Sequence, residues 1–473
     1  MTHTMHTTTR TLMTHALVRR GAVAVAALVP ALLGAQDRRT VTEPAIPPAC
    51  TTLTAALVAR DSTLDPADEA RGDTRRIQQA LDGCAPGRAV VLAASGAKGA
   101  FLTGPLELRA GVTLVVDRGT VLYGSRDPRD YDRTPGSCGV VNQDGKGCRA
   151  LITGEKVKGA GVMGDGVIDG RGWATLAGQA QSWWDLAQVA KVTSANQNCP
   201  RLLQLTRADD FTLYRITLRN AANFHVVYAN GDGFTAWAVK ILTPRTARNT
   251  DGIDPASATN VTIAHSYIST GDDDVAIKAG GAGPTTNVTI AHNHFYFGHG
   301  MSIGSETNAG ASAIRVTDLS IDGADNGIRI KSDHSRGGLV RDVVYDDVCI
   351  RRVKNPIEMD PRYADATDKG LVPLFRDVTL RNVRLLSPGK VTLEGYDAAR
   401  RLGIALDNVV ADSVARTHVI AAHAEITLGP GPVSFRPAGE DVMVTDATRA
   451  VGAPTGAAPN ACEGKFVPFP TAK

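Results

Sequence analysis

The chain has 473 residues, with 51 basic and 48 acidic side chains, 43% hydrophobic residues and only 5% aromatics. That apolar content excludes a wholly disordered chain, and the scarcity of aromatics demands a core of aliphatic and small side chains. The first 35 residues hold Arg10, Arg19 and Arg20 and no acid, so the remainder carries 48 charges of each sign and lacks the basic surplus of a nucleic-acid binder.

Arg19-Arg20 precedes an apolar run of 15 residues, Gly21 to Ala35. This falls short of the roughly 20 residues that span a bilayer. A basic segment followed by an apolar run ending in small residues has the layout of an export signal over residues 1–35. A buried core helix is the plain alternative. Met13 is a second candidate start, and the arginine pair leaves twin-arginine export open. No later segment looks membrane-spanning.

Export makes disulfides available. The seven cysteines are Cys50, Cys84, Cys138, Cys148, Cys199, Cys349 and Cys462, an odd number that leaves at least one thiol unpaired. Cys50 and Cys84 flank a helix expected over Asp73–Leu81, with Asp73 as N-cap and Ile77, Ala80 and Leu81 facing inward. This helix belongs to an N-terminal segment, residues 36–95, and is a candidate cap for the domain after it. Cys138 and Cys148 bracket a loop containing Gly145 and Gly147, a natural short bridge. No Cys/His spacing resembles a zinc site, so no structural metal is expected.

Short β-rich segments then recur, beginning at Phe211, Phe234, Val261, Val288, Val316, Val343 and Val378, with steps of 23, 27, 27, 28, 27 and 35 residues. Each is an apolar–polar–apolar pattern whose outer side chains share one face. A regular step in the twenties with turn residues between is a solenoid signature. The Leu pattern of leucine-rich repeats is missing. The expected fold is all-β, a single-stranded right-handed parallel β-helix over residues 96–428 with one coil per repeat. After it comes a tail, 429–473, rich in Ala, Pro and Gly. In such a fold, residues one period apart in sequence become neighbours in space.

Four polar groups coincide with the period. Asp272, in Gly271-Asp272-Asp273-Asp274, comes 21 residues after Asp251 of Asn249-Thr250-Asp251; His299 of Gly298-His299-Gly300 follows 27 later, and Arg329 of Arg329-Ile330-Lys331 another 30 on. One wall would then carry carboxylates, an imidazole and cations in a ladder. Three carboxylates within two coils repel, so at least one should hold a proton near neutrality. An acid beside ionised carboxylates is the requirement for glycosidic hydrolysis, and two cations beside them suit an anionic substrate. Each group alone has a plainer reading. Asp272-Asp273-Asp274 could be a calcium loop or solvated turn, Asn249-Thr250-Asp251 a turn, the glycines a tight corner, and Arg329 and Lys331 a solvated strand face. His225 could border the cleft or be a structural histidine; His265, His292 and His294 read as structural. Trp183-Trp184 reads as a packed loop, with sugar stacking as the alternative.

These four segments, in this order, resemble the polygalacturonases of glycoside hydrolase family 28, in particular the bacterial secreted endopolygalacturonases. Gly300-Met301-Ser302-Ile303-Gly304-Ser305-Glu306 and Asn223-Phe224-His225-Val226 share the likeness, which runs from about Gln36 to about Val410 and includes Cys50/Cys84 and Cys138/Cys148. The resemblance implies metal-independent, inverting hydrolysis of α-1,4-galacturonan in polygalacturonate or pectin. Asp272 would be the general acid, Asp251 and Asp273 would hold and deprotonate water, and His299 would support the acid. Arg329 and Lys331 would bind the galacturonate carboxylate, with Tyr363 matching the family's sugar-contacting tyrosine. Asp274 stands where many members have cysteine or asparagine and receives no role. A cofactor-free monomer, secreted and without nucleic-acid or membrane partners, is expected. The rivals are an exo-acting or rhamnogalacturonan hydrolase, a pectate lyase, and a non-catalytic glycan-binding β-helix.

Overall fold

A computed structural model of the chain describes residues 37–364, 367–447 and 462–470, so the expected leader lies outside the described residues. The recurring apolar segments form strands that pair in parallel from coil to coil, a right-handed parallel β-helix. Phe211 lies beside Phe234, then Val261, Val288, Ile314, Val343, Val378 and Ile404 in one unbroken line. All eight are buried, so each coil adds a rung to a continuous apolar core. The structure corrects the expected register at one rung: Val288 pairs with Ile314, not Val316. A slip of two residues leaves the same side chains on the same face, so alternation alone cannot reveal it.

The corners have a local cause. Immediately before successive rungs stand Asn260, Asn287, Ala313, Asp342 and Asp377, with φ between 51° and 58°. Asn and Asp tolerate this left-handed conformation better than other side chains, which is why they recur with the period. The coils build one sheet of twenty strands and one of eleven, the latter running in chain order from Leu106–Glu107 to His418–Ala422.

The expected N-terminal helix forms at Thr74–Asp82, with Ile77 and Leu81 buried. Asp73 stands at its N-cap position, but the carboxylate accepts from Arg76 Nη2 at 2.5 Å and the Leu102 amide at 3.2 Å instead of from the helix's own amides. Gln78 accepts from the Glu107 amide at 2.8 Å and donates to its carbonyl at 3.0 Å, which occupies the polar edge of the first strand of the eleven. Trp183-Trp184 opens a second helix, Trp183–Val192, through a capping box of Ser182 and Asp185, where a loop is expected. Among the described residues no helix is long and apolar enough to cross a membrane.

Disulfides join Cys50 to Cys84, Cys138 to Cys148, and Cys349 to Cys462, while Cys199 is a buried thiol. Beyond residue 428 the repeat continues, because Val442–Asp446 pairs in parallel with Ala424–Leu428. Residues 462–470 then lie against the twenty-stranded sheet: Lys465 pairs with Asp347 at 2.6 Å and also with Asp318, and Tyr296 donates to the Val467 carbonyl at 2.9 Å.

Candidate active site

The outward side chains of the eleven-stranded sheet form columns along the solenoid. Gln204 aligns with Val227 and then Asp254; Ala276 aligns with Ser302, Arg329 and Glu358. The pairing of Ile253 with Val275 joins the two runs into one column. Asp251 precedes Ile253–Ala256, Asp272 and Asp273 precede Val275–Ile277, His299 precedes Met301–Ile303, and Arg329 and Lys331 lie on Asn326–Lys331. The predicted polar groups thus stand on four consecutive rungs, about 4.8 Å apart.

One carboxylate oxygen of Asp272, one of Asp273 and one His299 ring nitrogen all lie within 4.8 Å of one another. Lys331 Nζ donates to Asp273 Oδ2 at 2.8 Å and the Ser302 hydroxyl to Oδ1 at 2.7 Å, with Arg329 Nη1 at 3.7 Å. Asp272 Oδ1 accepts from the Asp273 amide at 3.0 Å and faces His299 Nδ1 at 3.2 Å. The far nitrogen of His299 is 3.8 Å from Asp325, which is itself paired with Arg245. Arg329 turns its Nε to Glu358 at 2.8 Å. Tyr363, 41% exposed, has the Arg329 guanidinium and the Lys331 ammonium each 4.9 Å from its ring centre, so it borders both cations.

Two glycines allow the crowding. A side chain at Gly271 would begin 2.1 Å from the Ala247 carbonyl, so close backbone approach requires glycine here, where the chain bends. Gly300 has φ +69°, and a Cβ there would stand 2.3 Å from the Asn326 carbonyl and 2.5 Å from that of Gly327. The His299 rung can seat against the Arg329 rung only without that carbon.

Asp251 and Asp272 shift in opposite directions. Burial, then Asp254 and Asp272, pushes Asp251 well above the usual carboxylate range; burial raises Asp254 to about 6, and burial also lifts Asp274. Asp272 moves the other way. Burial would raise it, but the hydrogen bond and charge of His299, with Lys331, hold it below the usual range. The imidazole is the complement: burial lowers it, but Asp272 and Asp273 prevail and leave it raised. The proton of this pair therefore rests on His299, 3.2 Å from the Asp272 carboxylate.

Other candidates separate from this cluster. His225 is fully buried behind Asp251, with Nδ1 at 3.1 Å from the Asp251 carbonyl and Nε2 at 2.7 Å from the Thr243 hydroxyl, and burial lowers its pKa to about 4. It is a structural histidine. His265, His292 and His294 lie along the other sheet, the first two stacked at 4.8 Å. Asp274 accepts from the Thr270 hydroxyl at 3.1 Å and the Gly300 amide at 3.2 Å inside the wall. Trp183 is buried, and the Trp184 indole donates to the Ala221 carbonyl at 2.9 Å. Sequence reasoning missed Asp254, Lys278, Ser302 and Glu358. Lys278 lies 27 residues after Asp251 and Glu358 lies 29 after Arg329, so the coil period already pointed at both.

The carboxylates, imidazole and two cations gathered on one wall of this parallel β-helix belong to a glycoside hydrolase, as the comparisons with known proteins indicate. The profile of Glycosyl hydrolases family 28 matches residues 100–424, and the chain belongs to that family. It is 40% identical to a polygalacturonase of Ralstonia nicotianae, covering 96% of each chain. It is 45% identical to an endo-polygalacturonase of Pectobacterium carotovorum subsp. carotovorum, covering 79% of this chain and 90% of that one. The solved polygalacturonase from Erwinia carotovora ssp. carotovora superposes with a TM-score of 0.75 at 42% identity, covering 87% of this chain and all of that one.

Proposed function

We propose that this chain hydrolyses α-1,4-galacturonosidic bonds within polygalacturonate, with inversion. The observation that carries this reading is the convergence of Asp272, Asp273 and His299 within 4.8 Å beside Arg329 and Lys331. The two cations receive a galacturonate carboxylate, with Tyr363 against the sugar. His299 and Asp272 act as one proton-holding pair: the imidazolium proton passes through Asp272 to the leaving glycosidic oxygen as the C1–O bond breaks. Asp251 and Asp273 hold the attacking water, whose oxygen forms the new bond to C1 from the opposite side. Its proton goes to the Asp251 and Asp273 carboxylates that hold the water.

Internal cleavage is supported by the Pectobacterium relative, itself named an endo-polygalacturonase. It is supported too by a cavity of about 310 Å³ on the N-terminal side of Asp251, lined by Arg133, Lys146, Arg201, Gln204 and Asn223. Gln204 shares the outward column of Arg329, so this cationic hollow continues the cleft past the acids. The leader-like start and the disulfides support export. Asp272→Asn, which cannot carry the proton, is expected to reduce reducing-end release from polygalacturonate by roughly 10²–10⁴-fold. Near-full activity would end the reading. A time course yielding mixed oligomers supports internal cleavage; monomer or dimer from the outset refutes it.

A further inference from the structure

Lys278 follows the strand Val275–Ile277, and its ammonium sits between two buried carboxylates, 2.8 Å from Asp254 Oδ2 and 3.3 Å from Asp251 Oδ2. Among the described residues it is the cation in ion-pair contact with Asp251. Its position is held from a third side by Phe224, whose ring centre is 4.5 Å from Nζ. The other oxygen of Asp251 is buried and accepts no hydrogen bond from a described residue.

The charges bearing on Asp251 are unbalanced without this lysine. Asp254, Asp272 and Asp273 all oppose its ionisation, and Lys278 and Arg201 favour it; Glu306 acts on Lys278 from the next coil. Removing the shared counter-ion would push both carboxylates still further up than burial already does. A protonated Asp251 cannot accept another proton from water.

We infer that Lys278 is a positioning residue for hydrolysis: it clamps Asp251 against Asp254 and balances their charge, which leaves the free Asp251 oxygen available as base. This rests on the proposed role of Asp251. Lys278 is not assigned to substrate binding, because its ammonium is already taken up by two carboxylates and a ring.

The test compares kcat and KM against pH, on polygalacturonate, for Lys278→Met, Lys278→Arg and Asp251→Asn. Lys278→Met is expected to lose kcat by roughly 10²-fold, the low end for an acid–base group. Its KM should stay within about threefold, and the acid limb of its kcat profile should move to higher pH. Lys278→Arg, which keeps the charge, should restore at least part of kcat and return the limb. If Lys278→Met does not fold by circular dichroism, Lys278→Gln replaces it with the same expectations. Wild-type kcat and an unmoved acid limb would overturn the inference. So would a raised KM with kcat retained, the mark of a lysine that only binds substrate. Asp251→Asn separates the two levels: an active Asp251→Asn defeats the base assignment itself, whereas an inactive one beside an unimpaired Lys278→Met defeats only the role of Lys278.

Discussion

Gly300→Ala adds a single carbon, yet its surroundings give it a large effect. Two costs can be worked out. Holding a residue other than glycine at φ +69° costs about 1–2 kcal/mol. The new Cβ would also start 2.3 Å and 2.5 Å from two backbone carbonyls of the Arg329 rung, and relieving such overlap costs about 1–3 kcal/mol. Together these amount to about 2–5 kcal/mol, or a fall of about 2–5 °C in melting temperature for a chain of this size. The displacement cannot stay local. The Gly300 carbonyl accepts from the Asp274 amide at 3.1 Å and its amide donates to Asp274 at 3.2 Å, so movement reaches Asp272 and Asp273 through the adjoining Asp274. Misplacing reacting groups by about 1 Å costs on the order of 10²-fold in rate. Scanning calorimetry and reducing-end release measure the two effects, with Gly280→Ala as control, since a Cβ there meets nothing within 4 Å. A Gly300→Ala protein matching wild type in both melting and kcat would refute the steric account.

The remaining predictions concern the proton and the tail. If His299 and Asp272 share the proton delivered to the leaving oxygen, activity is lost as pH rises through the raised imidazole value, above 6.5. In His299→Gln the proton must sit on a carboxyl alone, so the basic limb of kcat/KM should move to lower pH; an unmoved limb would separate His299 from the acid. Cys462→Ser opens a disulfide spanning 113 residues, which the chain-entropy estimate values at about 4–5 kcal/mol. The melting temperature should fall while kcat/KM stays within about twofold, because Cys349 lies on the sheet away from the cleft; an unchanged melting temperature would show that the tail contributes little.

The period of the wall was legible because each coil repeats the same demands, an apolar rung and a left-handed corner. Stacking then followed, and with it the convergence of Asp272, Asp273 and His299. The Val316 slip shows the limit of alternation, which is blind to shifts of two. Protonation was harder to foresee. Repulsion among acids can be counted from sequence, but whether burial or a neighbouring cation prevails depends on ångström distances, and at Asp272 the cations win. Lys278 and Glu358 were one coil from predicted residues, but no motif marked them. The Cys349–Cys462 pair joins positions too distant in the chain for spacing to suggest it.

Along the line of rungs from Phe211 to Ile404, the widest interval, 35 residues from Val343 to Val378, is also the one that contains Tyr363. A stacked wall cannot be altered in its pitch without shearing every rung above it. It can be lengthened at a corner without penalty to the stack. Variation in what such a scaffold grips should therefore accumulate in excursions like this one, while the acid-bearing rungs beneath keep their spacing.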